Sequence, residues 1–166
     1  MHRLSSADIR PDTSVIVDFS LTNRLSLFLD VFSGRTLLSD FVEAELAPTG
    51  ITLPDVEVVK LTSDEEWNFF DDVRKTRPGL GVGELGALTV ARFRNAIFLT
   101  NDKLARQAAE TAGVAYSGGI GVLELCCEAG RLSGEEAVRL LEEMISAGAR
   151  ISDDLLTTFR RNVLNR

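Results

Sequence analysis

Short apolar runs of strand length alternate along this chain with longer stretches in which apolar residues recur every three or four positions. That alternation marks βα units, in which each helix crosses back over a parallel sheet. The run SVIV (residues 14–17) predicts the first strand, and Leu21, Leu25, Phe28, Leu29 and Phe32 then recur at helical spacing until Gly34. Further strands are expected at residues 36–38, 56–61, 96–100 and 114–116. Helices are expected around Phe41, Val42 and Leu46, over 64–75 behind a capping box of Ser63 and Glu66, from about Gly83 to Asn95, and from Asp102 to Gly113. The segment VLELCCEAG and two later stretches, from about Glu135 and Asp153, complete a helical C-terminal third. No internal repeat or linker interrupts the pattern. The expectation is a single α/β domain over residues 1–166, with a central parallel sheet flanked by helices and with residues 1–13 weakly ordered.

Composition narrows the chemistry. The 166 residues include one histidine, His2, and two cysteines, the neighbours Cys126 and Cys127. A Cys/His zinc centre needs about four such ligands, so none can be built within one chain. Ser-His-Asp and Cys-His catalysis are equally starved of imidazole. Adjacent cysteines in an apolar run suit a buried helix in a reducing compartment. With no run of about eighteen apolar residues and no signal-peptide core, a cytoplasmic protein without membrane contact is expected. Carboxylates are the reagents present in quantity. There are 25 acids against 18 bases, a formal charge of −7, which argues against coating nucleic acid by bulk charge.

Four of those acids occupy places that solubilising charges do not usually take. Asp18 directly follows SVIV, and Asp102 lies just after AIFLT, so both are expected at the carboxyl edge of the sheet, where open parallel sheets bind ligands. Glu84 opens a helix after the loop PGLGVG. Glu45 is preferred over Glu43 as the inward-facing acid of its helix, since two residues apart on a helix point to nearly opposite sides. Between residues 74 and 106 seven basic side chains (Arg74, Lys75, Arg77, Arg92, Arg94, Lys103, Arg106) stand against Glu84 and Asp102, a local balance of +5. Carboxylates that hold Mg²⁺ or Mn²⁺ through oxygen, beside bases that hold phosphate, suit phosphodiester hydrolysis without a histidine base.

Gly81, Gly83 and Gly86 also spell G-x-G-x-x-G, with Asp102 about twenty residues on, the spacing of a dinucleotide-binding fingerprint. That fingerprint requires a buried strand before its first glycine, and VRKTRPGL does not supply one. A dinucleotide-dependent oxidoreductase is therefore the remote alternative.

Taken in order, these motifs resemble the PIN-domain nucleases over nearly the whole chain. VIVDFS is similar to the family's strand ending in aspartate with Ser or Asn two residues on, here Asp18 and Ser20. VEAEL is similar to its second acidic motif at Glu45. LGVGELGALTVARFRNAIFLTND resembles the branch with a GE-type third acid, Glu84, and a fourth at Asp102, and the tail from GGIG onward resembles the same VapC-like branch. Gly86 stands where that branch often has a second glutamate. The resemblance implies a metal-dependent endoribonuclease in which Asp18, Glu45, Glu84 and Asp102 bind Mg²⁺ or Mn²⁺. Ser20 would orient Asp18 or a water, Asn101 would assist beside Asp102, and Arg77, Lys103 or Arg106 would contact RNA phosphates. Many members are toxins held inactive by a small antitoxin. The apolar C-terminal stripes AVRLLEEMI and DDLLTTF are accordingly read as core, homodimer face or antitoxin groove. A non-catalytic RNA-binding or regulatory PIN module is the second reading.

Overall fold

The computed structural model describes residues 4–165. His2 and the first three residues of the segment expected to be weakly ordered lie outside them. The first strand is not SVIV. It is β1 (Ile9–Pro11), inside that amino-terminal segment, and residues 14–17 belong to helix α1 (Thr13–Leu21). Val15, Ile16 and Phe19 form the buried stripe of α1, a helical spacing that an apolar run of four leaves ambiguous.

The remaining elements, in chain order, are α2 (Leu25–Val31), β2 (Leu37–Ser39), α3 (Asp40–Leu46), β3 (Glu57–Val59), α4 (Asp64–Thr76), α5 (Val82–Phe93) and β4 (Ile97–Leu99). They continue with α6 (Lys103–Thr111), β5 (Tyr116–Ser117), α7 (Gly119–Glu128), α8 (Gly134–Ser146) and α9 (Asp153–Leu164). All strand pairs are parallel: β1 with β4, β4 with β5, and β2 with β3. A single bridge between Ile9 and Thr36 joins β2 to β1. The amide of Ile9 donates to Arg35 O on that side. Two residues on, the next amide facing the same way would be that of Pro11, which has none, so the β1–β2 ladder stops.

Strand side chains alternate between two cores. Ile9, Ile97 and Leu99 pack with α1, α2 and α7–α9, whereas Phe98 and Leu38 pack with α3–α6. On α8, Ala137, Val138, Leu140, Leu141 and Met144 are buried in the first core, so the stripe AVRLLEEMI is interior. Cys126 is buried there too, and burial pushes its thiol up to about 12. Among the described residues no helix is long and apolar enough to cross a membrane.

Candidate active site

Asp12 immediately follows β1 and caps α1. Its Oδ1 accepts hydrogen bonds from Ser14 Oγ (2.7 Å) and Val15 N (3.0 Å), and its Oδ2 accepts one from Thr100 Oγ1 (2.5 Å). The residue is 0% exposed, and among the described residues no lysine or arginine forms an ion pair with it. Burial pushes its pKa up, the three hydrogen bonds oppose that, and the charge of Asp102 adds to it. Asp12 thus takes the strand-end place expected of Asp18.

Thr100 connects the two neighbouring strand ends. Its hydroxyl donates to Asp12 and accepts from the amide of Asp102 (3.1 Å). Asp102 caps α6 by accepting from Ala105 N at 2.8 Å. The other two acids arrive from the helices that pack beside this edge. Glu45 on α3 accepts from Gly83 N (2.9 Å) and from Thr13 Oγ1, so it ties α1, α3 and α5 together. That contact selects Glu45 over Glu43. Glu84, in the first turn of α5, accepts from Gly81 N at 2.9 Å. Burial raises its pKa, the Gly81 bond opposes the rise, and Asp102, Asp12 and Glu45 all add to it. One carboxylate therefore feels the other three. The N-termini of α1, α5 and α6 face the same edge, and their partial positive charge offsets some of this repulsion.

The glycines of the G-x-G-x-x-G string serve this arrangement. A Cβ at Gly83 would overlap the Glu45 carboxylate, and one at Gly86 would lie 2.6 Å from Ser39 Oγ and from Phe41 Cδ2. Helix α4 and the loop at Pro78 precede the string, in place of the strand that a dinucleotide site requires.

Other expected site residues are distributed differently. Asp18 lies about one and two-thirds turns along α1 from Asp12, half-buried, and accepts from Asn101 Nδ2 at 2.8 Å. Burial pushes its pKa up to about 6, with the Asn101 bond opposing and the Asp12 charge adding. Ser20 is two residues further along α1, about 200° around the helix from Asp18, so it does not orient that carboxylate. The pattern of aspartate followed by serine two residues on is met at Asp12 and Ser14.

The +5 stretch does not converge. Arg77 donates to Thr111, at the end of α6 opposite Asp102, while Arg92 donates to Ala112 O and lies over Phe69. Arg94 pairs with Glu66 and Arg74 with Asp71. Lys103, exposed at the start of α6, and Arg106, whose Nε donates to Thr100 O at 3.1 Å, are the bases of that set next to Asp102. A cleft of about 900 Å³ runs along β5 past Asn95, Tyr116 and Glu124 and is lined by none of the four acids.

Residues 11–164 match a family model described as a PIN domain. The chain belongs to the PIN-domain family. No curated protein matches it. PIN domains are generally nucleases and typically depend on a divalent metal, and the matched span includes all four acids of the sheet edge.

The donor chemistry suits such an ion. The four side chains offer only carboxylate oxygen, the ligand of Mg²⁺ and Mn²⁺, and the charges of Asp102, Asp12 and Glu45 all raise the cost of ionising Glu84. Among the described residues no three acidic side chains stand at ion-holding spacing. Glu84 is engaged by the Gly81 amide at the start of its own helix, and Glu45 by the Gly83 amide of the neighbouring α5.

Proposed function

We propose that this PIN domain is a metal-dependent endoribonuclease. The observation that carries the reading is a fully buried aspartate at a strand end, without an ion pair among the described residues and within the field of Asp102 and Glu84, in a chain whose sole imidazole is His2. Four like charges at one edge favour a bound cation over the metal-free state.

Asp12, Glu45, Glu84 and Asp102 are the residues that would hold Mg²⁺ or Mn²⁺. When bound, such an ion supplies Lewis acidity, activating water and neutralising charge that develops on a phosphate. The chain's own part is positional. Ser14 and Thr100 fix the Asp12 carboxylate, Thr13 and the Gly83 amide fix Glu45, and Lys103 and Arg106 offer cationic contacts to phosphate beside Asp102. RNA as substrate and a toxin's role with a small antitoxin partner rest on the similarity of the GE and TND motifs to the VapC-like branch, and a homodimer rests on the apolar stripes of the C-terminal third.

The test is cleavage of a panel of labelled RNAs and matched DNAs with Mg²⁺, with Mn²⁺ and with a chelator. Cleavage of RNA that the chelator abolishes is the expected result, and cleavage that survives chelation would contradict it. A non-catalytic RNA-binding module is the second reading, favoured by the absence of three acids at ion-holding spacing among the described residues. A Mn²⁺ titration separates the two, because that module would bind RNA without binding the ion.

A further inference from the structure

Asn101 occupies the turn between β4 and α6, between Thr100 and Asp102, and its side-chain amide is used at both ends. Nδ2 donates to Asp18 Oδ2 on α1 at 2.8 Å, and Oδ1 accepts from Gly119 N at the start of α7 at 2.9 Å. The two partners dictate the orientation of the amide. A backbone N–H can only donate, so the atom facing Gly119 must be oxygen; the Asp18 carboxylate can only accept when ionised, so the atom facing it must be nitrogen.

The fit is close on the α7 side as well. A Cβ at Gly118 would lie 2.7 Å from Asn101 Oδ1 and 2.9 Å from Thr100 O. Arg106 Nε closes the same turn by donating to Thr100 O. Neither Asp18 nor Asn101 is needed to explain burial of the core; Asn101 is part of the turn that carries Thr100 and Asp102, and Asp18 lies one hydrogen bond away from it.

We propose that Asn101 and Asp18 are a positioning pair that clamps the turn of residues 100–102 between α1 and α7 and so aims Asp102 at Asp12. The pair acts through its neighbours and touches no reacting atom. Its kinetic consequence rests on the nuclease reading above, whereas its structural consequence does not.

The polarity of the two hydrogen bonds supplies a sharp test. Asn101→Asp sets a second carboxylate against Asp18. The double exchange Asp18→Asn/Asn101→Asp restores both bonds, because the amide now on α1 donates to the carboxylate now in the turn, which still accepts from Gly119 N. Wild type, Asp18→Ala, Asn101→Asp and the double exchange are compared in Mn²⁺-dependent RNA cleavage, and by amide hydrogen exchange at Asp102 and Gly119. The single variant Asn101→Asp is expected to lose about 10–100-fold in kcat, the cost of losing an orienting partner, with KM within about threefold. The double exchange is expected to recover activity and Gly119 protection to within about threefold of wild type.

A double exchange no better than Asn101→Asp, or an Asp18→Ala variant with unchanged kcat and unchanged Gly119 protection, would overturn the proposal. If wild type cleaves no RNA, the nuclease reading fails and hydrogen exchange alone decides the pair. Protection lost in Asn101→Asp and regained in the double exchange supports it, and loss in both refutes it.

Discussion

Asp12 is fully buried at a strand end and Asp18 half-buried on the helix that follows, and burial raises the pKa of both. Asp18 is held half-buried with a pKa of about 6, against an ordinary value of 3.8. Between those values the folded protein keeps a proton that the unfolded chain has released, so stability falls as pH rises through that window. Asp18→Asn removes the charge and keeps an oxygen to accept from Asn101. Its melting temperature in chelator should therefore equal that of wild type near about pH 4 and exceed it above about pH 7. A gain that shrinks with rising pH would contradict the assignment. Asp12, also raised, shifts stability in the same direction. Asp12→Asn should remain folded, lose at least about 10²-fold in cleavage and no longer respond to the ion.

Among the elements, Gly83 links helix α5 to the acid on α3. Gly83→Ala meets the far end of a flexible side chain rather than backbone, so the helix should form and Glu45 should be displaced. Cleavage should then fall by about tenfold or more while circular dichroism is unchanged. Gly81→Ala meets only ordinary contacts, 3.7 Å from Glu84 Oε2, and should keep activity within about threefold. A dinucleotide site would need Gly81 for its tight turn as well as Gly83, and would not tolerate Gly81→Ala.

The same elements show what a reader of the sequence can see. Helix α4 is legible through Ser63 and Glu66, which form its capping box, and α6 through its cap at Asp102. Strand β1 is not, because its three residues include Pro11 and an Arg10 that is 1% exposed, a composition that argues against a central strand. Burial and Arg94 push that guanidinium down, Asp8 and Glu57 push it up, and the result is about 10. With β1 hidden, the apolar stripe of α1 passes for a strand and the first acid is placed six residues late. The signal that finds it is local: Asp12 followed by Thr13 and Ser14 ahead of an apolar run is an N-cap. Glu45, Glu84 and Asp102 are easier to locate because each sits in or at the cap of a helix whose period is legible. The basic stretch misleads because sequence proximity does not fix which face a side chain takes. Arg77, Arg92 and Arg94 are tied to the ends of α4, α5 and α6 remote from the acids.

For the whole molecule, a net charge of −7 is compatible with phosphate chemistry if a cation is bound where the acids gather. Binding to the folded state alone adds about 2.7 kcal/mol at a hundredfold excess over Kd, or about 5–10 °C in Tm for a chain of this size. Thermal unfolding with and without Mn²⁺ should show that rise in wild type and none in Asp12→Asn, and an unchanged wild-type Tm would speak against a metal centre. In the proposed function the site is built on the buried strand-end carboxylate, Asp12, rather than on Asp18 along α1. Cleavage of one labelled RNA in Mn²⁺ by Asp12→Asn and Asp18→Asn, side by side, tests it most directly. Asp12→Asn is expected to be inactive, and Asp18→Asn, which keeps its bond to Asn101, to retain most of the activity. An active Asp12→Asn beside an inactive Asp18→Asn would contradict it.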